Sequence, residues 1–271
     1  MIAAIASEYR KFFSTRMWWI LTLAMAAYFL LIAAIMGWVF AYQATHGGFG
    51  GLPAGMAGAV RDAVYGMGPS MGYVFPVIIG AIAVTAEYRH STIVPTFLGE
   101  PRRPVVMVAK AIASIPMGAV VGLVGALSCV AGGGLGFWIG GIDPMIWTVA
   151  TWKIVGLSVV ANVLWALVGV ALGMLVISQV GVIIAALAFT QLVEPMARLG
   201  LSFFPSVAGI AKFFPGAASD AVTGGASIYT MMTAMGSGGS LTIWQGGLVL
   251  LAYAVVLGVL GYVLRIRRDV G

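Results

Sequence analysis

Glu194 and Arg198 are ionisable residues inside an apolar stretch, residues 181–200. A charge at bilayer depth costs about 2.5–3.5 kcal/mol on insertion scales, so residues of this type at such a depth are either paired or functional. Their spacing puts both on one helix face, where an intrahelical pair would neutralise them. The other reading makes them the lining of a gate or pathway, with Glu194 as a proton or sodium site. At 1.5 Å per residue, Glu194 lies roughly 20 Å along its helix. A second polar block reads Glu87-Tyr88-Arg89-His90-Ser91-Thr92-Ile93-Val94-Pro95-Thr96-Phe97-Leu98-Gly99-Glu100-Pro101-Arg102-Arg103. A tether between two helices needs only a few residues. This block mixes charge with Tyr88, Ile93, Phe97 and Leu98, which suits a short helix that docks on something; a solvated loop is the plainer reading. Third, Ile2, Ile5, Tyr9, Phe12 and Phe13 recur at helical spacing, with Glu8, Arg10, Lys11 and Ser14 on the other face. The pattern predicts an amphipathic helix over residues 1–16 in the membrane interface, either an anchor or a receiver for a cytoplasmic partner.

Other chemistries lack their residues. There is no Gly-x4-Gly-Lys-Ser/Thr phosphate loop, so the chain does not hold ATP in that manner. Two histidines, His46 and His90, give no His-Glu-x-x-His, and no Gly-x-Ser-x-Gly marks a hydrolase. No catalytic residue and no metal site is assigned. Fifteen methionines lie scattered in apolar runs, where flexible packing explains them. Cys129 is alone and cannot form an internal disulfide.

The elements that must position these residues follow from hydropathy. The 271 residues are 61% hydrophobic and 8% charged, with a mean hydropathy of +1.06. Soluble domains carry about 25% charged residues, and a chain this short cannot hide so much apolar surface in a core of its own. Lipid is the solvent this composition asks for. Six stretches read as spans of about 20 residues: 17–43, 69–87, 105–131, 154–177, 181–200 and 243–264. The first is too long for a signal peptide. Ten of the fourteen basic residues (Arg10, Lys11, Arg16, Arg89, Arg102, Arg103, Lys110, Arg265, Arg267 and Arg268) fall on one side of these spans. By the positive-inside rule that side is cytoplasmic and takes both termini. The net charge of +6 therefore signals orientation, not nucleic acid. Lys110 and Lys153, near span ends, are expected to snorkel. Every tryptophan but Trp165 falls near a predicted span end, at home in the interface. The segment 199–239 holds apolar pieces too short to span, which predicts re-entrant or interfacial helices between spans five and six. Gly118-x3-Gly122, Gly132-x3-Gly136-x3-Gly140 and Gly169-x3-Gly173 would let helices approach closely within the bundle or in a dimer. The expected fold class is thus an all-α integral membrane protein forming one transmembrane domain over residues 1–271.

Two blocks resemble the ABC-2 type transporter permeases, the membrane subunits of bacterial ABC exporters. Ser7-Glu8-Tyr9-Arg10-Lys11-Phe12-Phe13-Ser14-Thr15-Arg16-Met17-Trp18-Trp19 is similar to their start. Glu87-Tyr88-Arg89-His90-Ser91-Thr92-Ile93, with Pro101-Arg102-Arg103 and Lys110, is similar to their Glu-Tyr/Phe-x-x-Gly/Ser-Thr-Ile block, Pro-x-Arg and Lys. Ser91 stands where glycine is common. The resemblance implies a permease dimer, as a homodimer or with a related chain, on two separate cytoplasmic phosphate-loop ATPase subunits. ATP and Mg would reside on those partners, and this chain would itself be no enzyme. It implies that Glu87 to Ile93, with Arg102 and Arg103, couple to the ATPase, and that Glu8, Arg10, Lys11, Phe12 and Phe13 lie on a connecting helix. A lipid, drug-like or peptide substrate would leave across the bacterial cytoplasmic membrane by alternating access. The alternative is an ion-gradient-driven secondary transporter using Glu194.

Overall fold

Long apolar runs entered through Ser, Thr or Pro become helices, because such residues satisfy or dispense with the free N–H groups of a first turn. The structure, a computed structural model, describes residues 2–46, 57–204, 208–225 and 241–266, and among these every regular element is helical. In chain order we label α1 (Ile2–Ser14), α2 (Met17–His46), α3 (Ala57–Tyr65), α4 (Met67–Met71), α5 (Val74–Arg89), α6 (Ile93–Gly99), α7 (Arg103–Ile139), α8 (Val149–Leu175), α9 (Gln179–Ala188), α10 (Glu194–Ser202), α11 (Pro215–Val222) and α12 (Ile243–Gly261). A π-helical turn, Phe189–Val193, joins α9 to α10, and a 3-10 helix, Ala208–Phe213, precedes α11. Thr148 caps α8 by accepting from Thr151 N, and Ser178 caps α9 by accepting from Gly181 N. Thr242 and Gln245 form a capping box at the start of α12.

Among the described residues, five stretches are long and apolar enough to cross a membrane: Met17–His46, Arg103–Ile139, Val149–Leu175, Gln179–Leu201 and Ile243–Arg265. The remaining expected span, the second at 69–87, takes another form. It is divided into α4 and α5 at Gly72, where a Cβ would collide with the ring of Phe29. With 16 residues, α5 is about 24 Å long, short of the hydrocarbon core. It is also sheathed by its neighbours: Val74, Val77, Ile79, Ala81 and Val84 are all buried. The glycine-rich stretch 47–56, most of the segment after α11, and Arg267 and Arg268 lie outside the described residues. Within the described part of 199–239, α11 is a short helix packed against α12, α4 and α8, with Gly216, Ala218, Ser219, Asp220 and Val222 buried.

Glycine contacts fix the directions of the helices. Leu30, Ala34 and Ala41 of α2 meet Gly132, Gly136 and Gly140 of α7 in the same order, so α2 and α7 run parallel. Gly118 meets Ala166 while Gly122 meets Val159, so α8 returns antiparallel to α7. Val77 and Ala81 of α5 meet Gly169 and Gly173, so α5 runs with α8. Ala171 and Met174 meet Gly258 and Gly261, so α12 does too. Successive passes through the bundle therefore alternate: α2 away from the end where α1 lies, α5 back, α7 away, α8 back, α9–α10 away, α12 back. All three glycine spacings seen in the sequence are spent on contacts inside this chain.

The large apolar side chains that remain exposed, such as Leu23, Leu31, Ile184, Val255 and Val256, suit a lipid surround. A Cβ at Gly136 would lie 2.7 Å from Trp38 N and closer still to Ala34 O, both backbone atoms that cannot yield cheaply. Gly136→Val should accordingly lower stability by about 1–3 kcal/mol, the usual cost of overpacking. Thermal unfolding in mild detergent should show the loss, whereas Gly156→Ala, at a position with open space around it, should leave the midpoint unchanged or raise it.

Candidate functional site

At the end of the bundle where α1 lies, four charged side chains meet. Lys110, on the second turn of α7, is 1% exposed. Its Nζ sits 2.8 Å from Glu8 Oε2 of α1 and 2.9 Å from Glu87 Oε1 of α5, and it donates to the Ala83 carbonyl at 2.9 Å. Lys11 bridges the same two acids from above, 2.7 Å from Glu8 Oε1 and bonded to Glu87 Oε1, with Thr96 of α6 at 3.4 Å. Two acids and two bases thus tie α1, α5, α6 and α7 together. Glu87 Oε2 is buried with no hydrogen-bond partner. Burial alone would lower the pKa of Lys11, but its hydrogen bonds to Glu8 and Glu87 outweigh this and hold it above 10.5. A raised lysine pKa means that the contact contributes fully at neutral pH and fades only as pH climbs through that raised value.

The structure gives two of these residues other roles than their positions suggested. Lys110 does not snorkel to the interface; the acids of α1 and α5 come to it. Glu8, placed on the solvated face of the amphipathic helix, is the one described residue of α1 that is buried. The apolar side contributes Tyr9 and Phe12 to the core, while Phe13 packs edge-on with Phe12 and Trp18 and Ile2 stays 86% exposed. Arg10 is exposed.

Beyond the cluster the chain turns sharply. Ser91 has φ 56°, and Thr92 N donates to Glu87 O at 2.8 Å, a Schellman ending for α5. Glycine would take this conformation without steric cost, so Ser91 holds it at some strain. Ile93 is buried, whereas Val94 and Leu98 of α6 face outward, Leu98 at 78%. Arg103 stands over the Phe97 ring at 5.3 Å, and Arg102 pairs with Glu100 at 2.8 Å, lowering the pKa of that carboxyl through their hydrogen bond. Tyr88 packs beside Val84 and Val106, and His90 is exposed. Arg89 donates to Gln179 Oε1 at 3.2 Å across a groove of about 340 Å³ lined by Tyr88, Arg89, Ile177, Ser178, Gln179 and Val180.

The second polar centre lies toward the opposite end. Glu194 is 1% exposed, and its Oε1 accepts Gly216 N–H at 2.6 Å and Ala217 N–H at 3.2 Å, the first turn of α11. Arg198 reaches across to Asp220 of α11 at 2.8 Å. Asp220 was not singled out from the sequence, because nothing local places it beside α10. The π turn leaves one carbonyl without a helical donor. Glu194 N donates to Phe189 O, five residues back, and the next bond in that register would run from residue 195 to Thr190. Residue 195 is proline and has no N–H. The Thr190 carbonyl instead accepts the Tyr73 hydroxyl at 2.7 Å. Tyr73 stacks on Trp165, ring centroids 4.4 Å apart, and Trp165 Nε1 donates to Ser219 Oγ at 2.9 Å. Trp165 is the one tryptophan away from a predicted span end, and Glu194 and Arg198 were the residues of this centre marked by the sequence.

Glu8→Gln should leave Lys110 short of a counter-charge. Breaking a buried pair from one side costs about 3–5 kcal/mol, while replacing it with apolar groups is often near neutral. Proteolysis of α1 and thermal unfolding should therefore show a large loss in Glu8→Gln that is largely recovered in Glu8→Gln with Lys110→Met. Tyr73→Phe should leave the Thr190 carbonyl without a donor and cost about 1–3 kcal/mol, read by the same unfolding measurement.

Comparison with protein-family models found no match to this chain, and comparison with curated protein sequences found none either.

Proposed function

We propose that this chain is the membrane subunit of an ABC exporter in a bacterial cytoplasmic membrane, paired with a second permease and driven by separate cytoplasmic ATPase subunits. The observation that carries the reading is the ionic cluster: it welds the N-terminal helix, the end of α5 and the start of α7 into one block from which α6 projects. Val94 and Leu98 are exposed on α6, within a stretch of sequence that also carries Arg89, Glu100, Arg102 and Arg103. An apolar face in that setting suits a protein partner better than lipid. A push on α6 or α1 would be transmitted through Lys110 to α5 and α7 together, which is what rigid-body alternating access requires.

Six crossings with both ends on the cytoplasmic side accord with the alternating helix directions, with α5 as a shielded second span. The basic residues near the cluster end accord with it through the positive-inside rule. The substrate class we infer is hydrophobic: lipid, drug-like molecule or peptide. The ion-gradient-driven carrier is the second reading, and the buried Glu194 is the observation that favours it.

The full chain, cross-linked in its native membrane and purified gently, should bring down an ATPase with a phosphate-binding loop, and the purified complex should hydrolyse ATP. Leu98→Glu should weaken that association without removing the chain from the membrane. Repeated absence of such an ATPase, together with transport that collapses with the proton gradient, would reject the exporter in favour of the carrier.

A further inference from the structure

The contact between α10 and α11 holds a carboxyl group whose two oxygens have opposite surroundings. Oε1 of Glu194 takes two N–H donors from the start of α11, while Oε2 is buried without any hydrogen-bond partner. The fit is close: a Cβ on Gly216 would lie 2.5 Å from Oε1 and 3.1 Å from Oε2. Around it stand Arg198 on its own helix, Asp220 from α11, Tyr73 from the start of α5 and Tyr253 from α12. Arg198 and Asp220 form an ion pair, so an ionised Glu194 leaves the group of three at a net charge of −1. Between residues 204 and 243 the sequence contains no charged residue besides Lys212 and Asp220, and Lys212 stands over the Phe213 ring at 5.3 Å. A buried carboxylate without a full set of partners neutralises by taking a proton.

A larger cation fits less well. Oε1 is already engaged by two donors, and among the described residues no third acid, histidine or cysteine joins Glu194 and Asp220. A proton on Oε2 needs neither extra ligands nor space.

We propose that Glu194 is a proton-binding site that latches α11 to α10 at the end of the bundle opposite the ionic cluster. With the proton on Oε2, the contact is dry and closed. Loss of that proton to water leaves a carboxylate that gains by hydration, so α11 parts from α10 and the end opens. The proton binds the closed form more tightly than the open one, so acid favours closure and alkali favours opening. This assignment goes beyond the exporter reading and stands with or without an ATPase.

The test uses the full chain in lipid nanodiscs. Hydrogen–deuterium exchange of the peptide covering residues 215–222 is followed from mildly acidic to mildly alkaline pH and corrected for intrinsic base catalysis. The opening equilibrium is expected to rise by up to about tenfold per pH unit, the slope for one proton released. E194Q, which keeps the oxygen that receives α11, should hold the segment protected at every pH. D220N, which leaves Arg198 to offset Glu194, should shift the profile to lower pH. A flat profile in the unsubstituted chain, or an unchanged pH dependence in E194Q, overturns the proposal. Should E194Q fail to reach the membrane, infrared titration of the unsubstituted chain and of E194D decides. A protonated carboxyl band that fades as pH rises and moves in E194D is expected; no such band overturns the latch.

Discussion

An ammonium group buried in an apolar bundle needs opposite charge within reach, and Lys110 imposes that need on the rest of this molecule. Its two acids come from segments far apart in the chain, Glu8 in α1 and Glu87 at the end of α5. Satisfying one side chain therefore sets where the N-terminal helix lies, where α5 ends and how α7 begins. Lys11 closes the set, so that two positive and two negative charges balance in a place where imbalance is costly. The turn at Ser91 and the outward face of α6 follow from where α5 has been made to stop.

The opposite end obeys the same rule with backbone groups as well as charges. Pro195 deprives the Thr190 carbonyl of its helical donor, and Tyr73 replaces it. The first N–H groups of α11 have no helical acceptor, and Glu194 supplies one. A short helix with buried ends is tolerated at such a depth only because other elements bring these partners. The two centres differ in completeness. At the Lys110 cluster the charges balance, whereas around Glu194 they balance only when the carboxyl is neutral. That difference makes the first a joint and the second a candidate for change.

Much of this was legible in the residues. The long apolar runs, the helix at the N-terminus and the short helix within the polar block follow from composition and spacing, because hydropathy and helical period are local properties. The three glycine spacings marked helix contacts correctly in kind, though their partners, α2, α8 and α5 of the same chain, are set by packing. The stretch 69–87 was apolar enough to read as one span. It divides into α4 and α5 at Gly72, where the ring of Phe29 of α2 lies against the backbone, a contact no window of hydropathy contains.

The sequence by itself determined that several apolar runs are long enough to cross a membrane, that basic residues gather beside certain of them, and that Glu194 and Arg198 interrupt one. Only the tertiary structure decided which charge answers which. Neighbours four apart on one helix looked like a pair, yet Arg198 reaches Asp220 and Glu194 caps α11, because the fold brings those groups of α11 within reach. Lys110 looked free to extend to the interface, yet Glu8 and Glu87 neutralise it in place. Electrostatic and hydrogen-bonding demands are fixed by residue type, but they are met by whatever the fold brings within about 3 Å, and that distance is unrelated to separation along the chain.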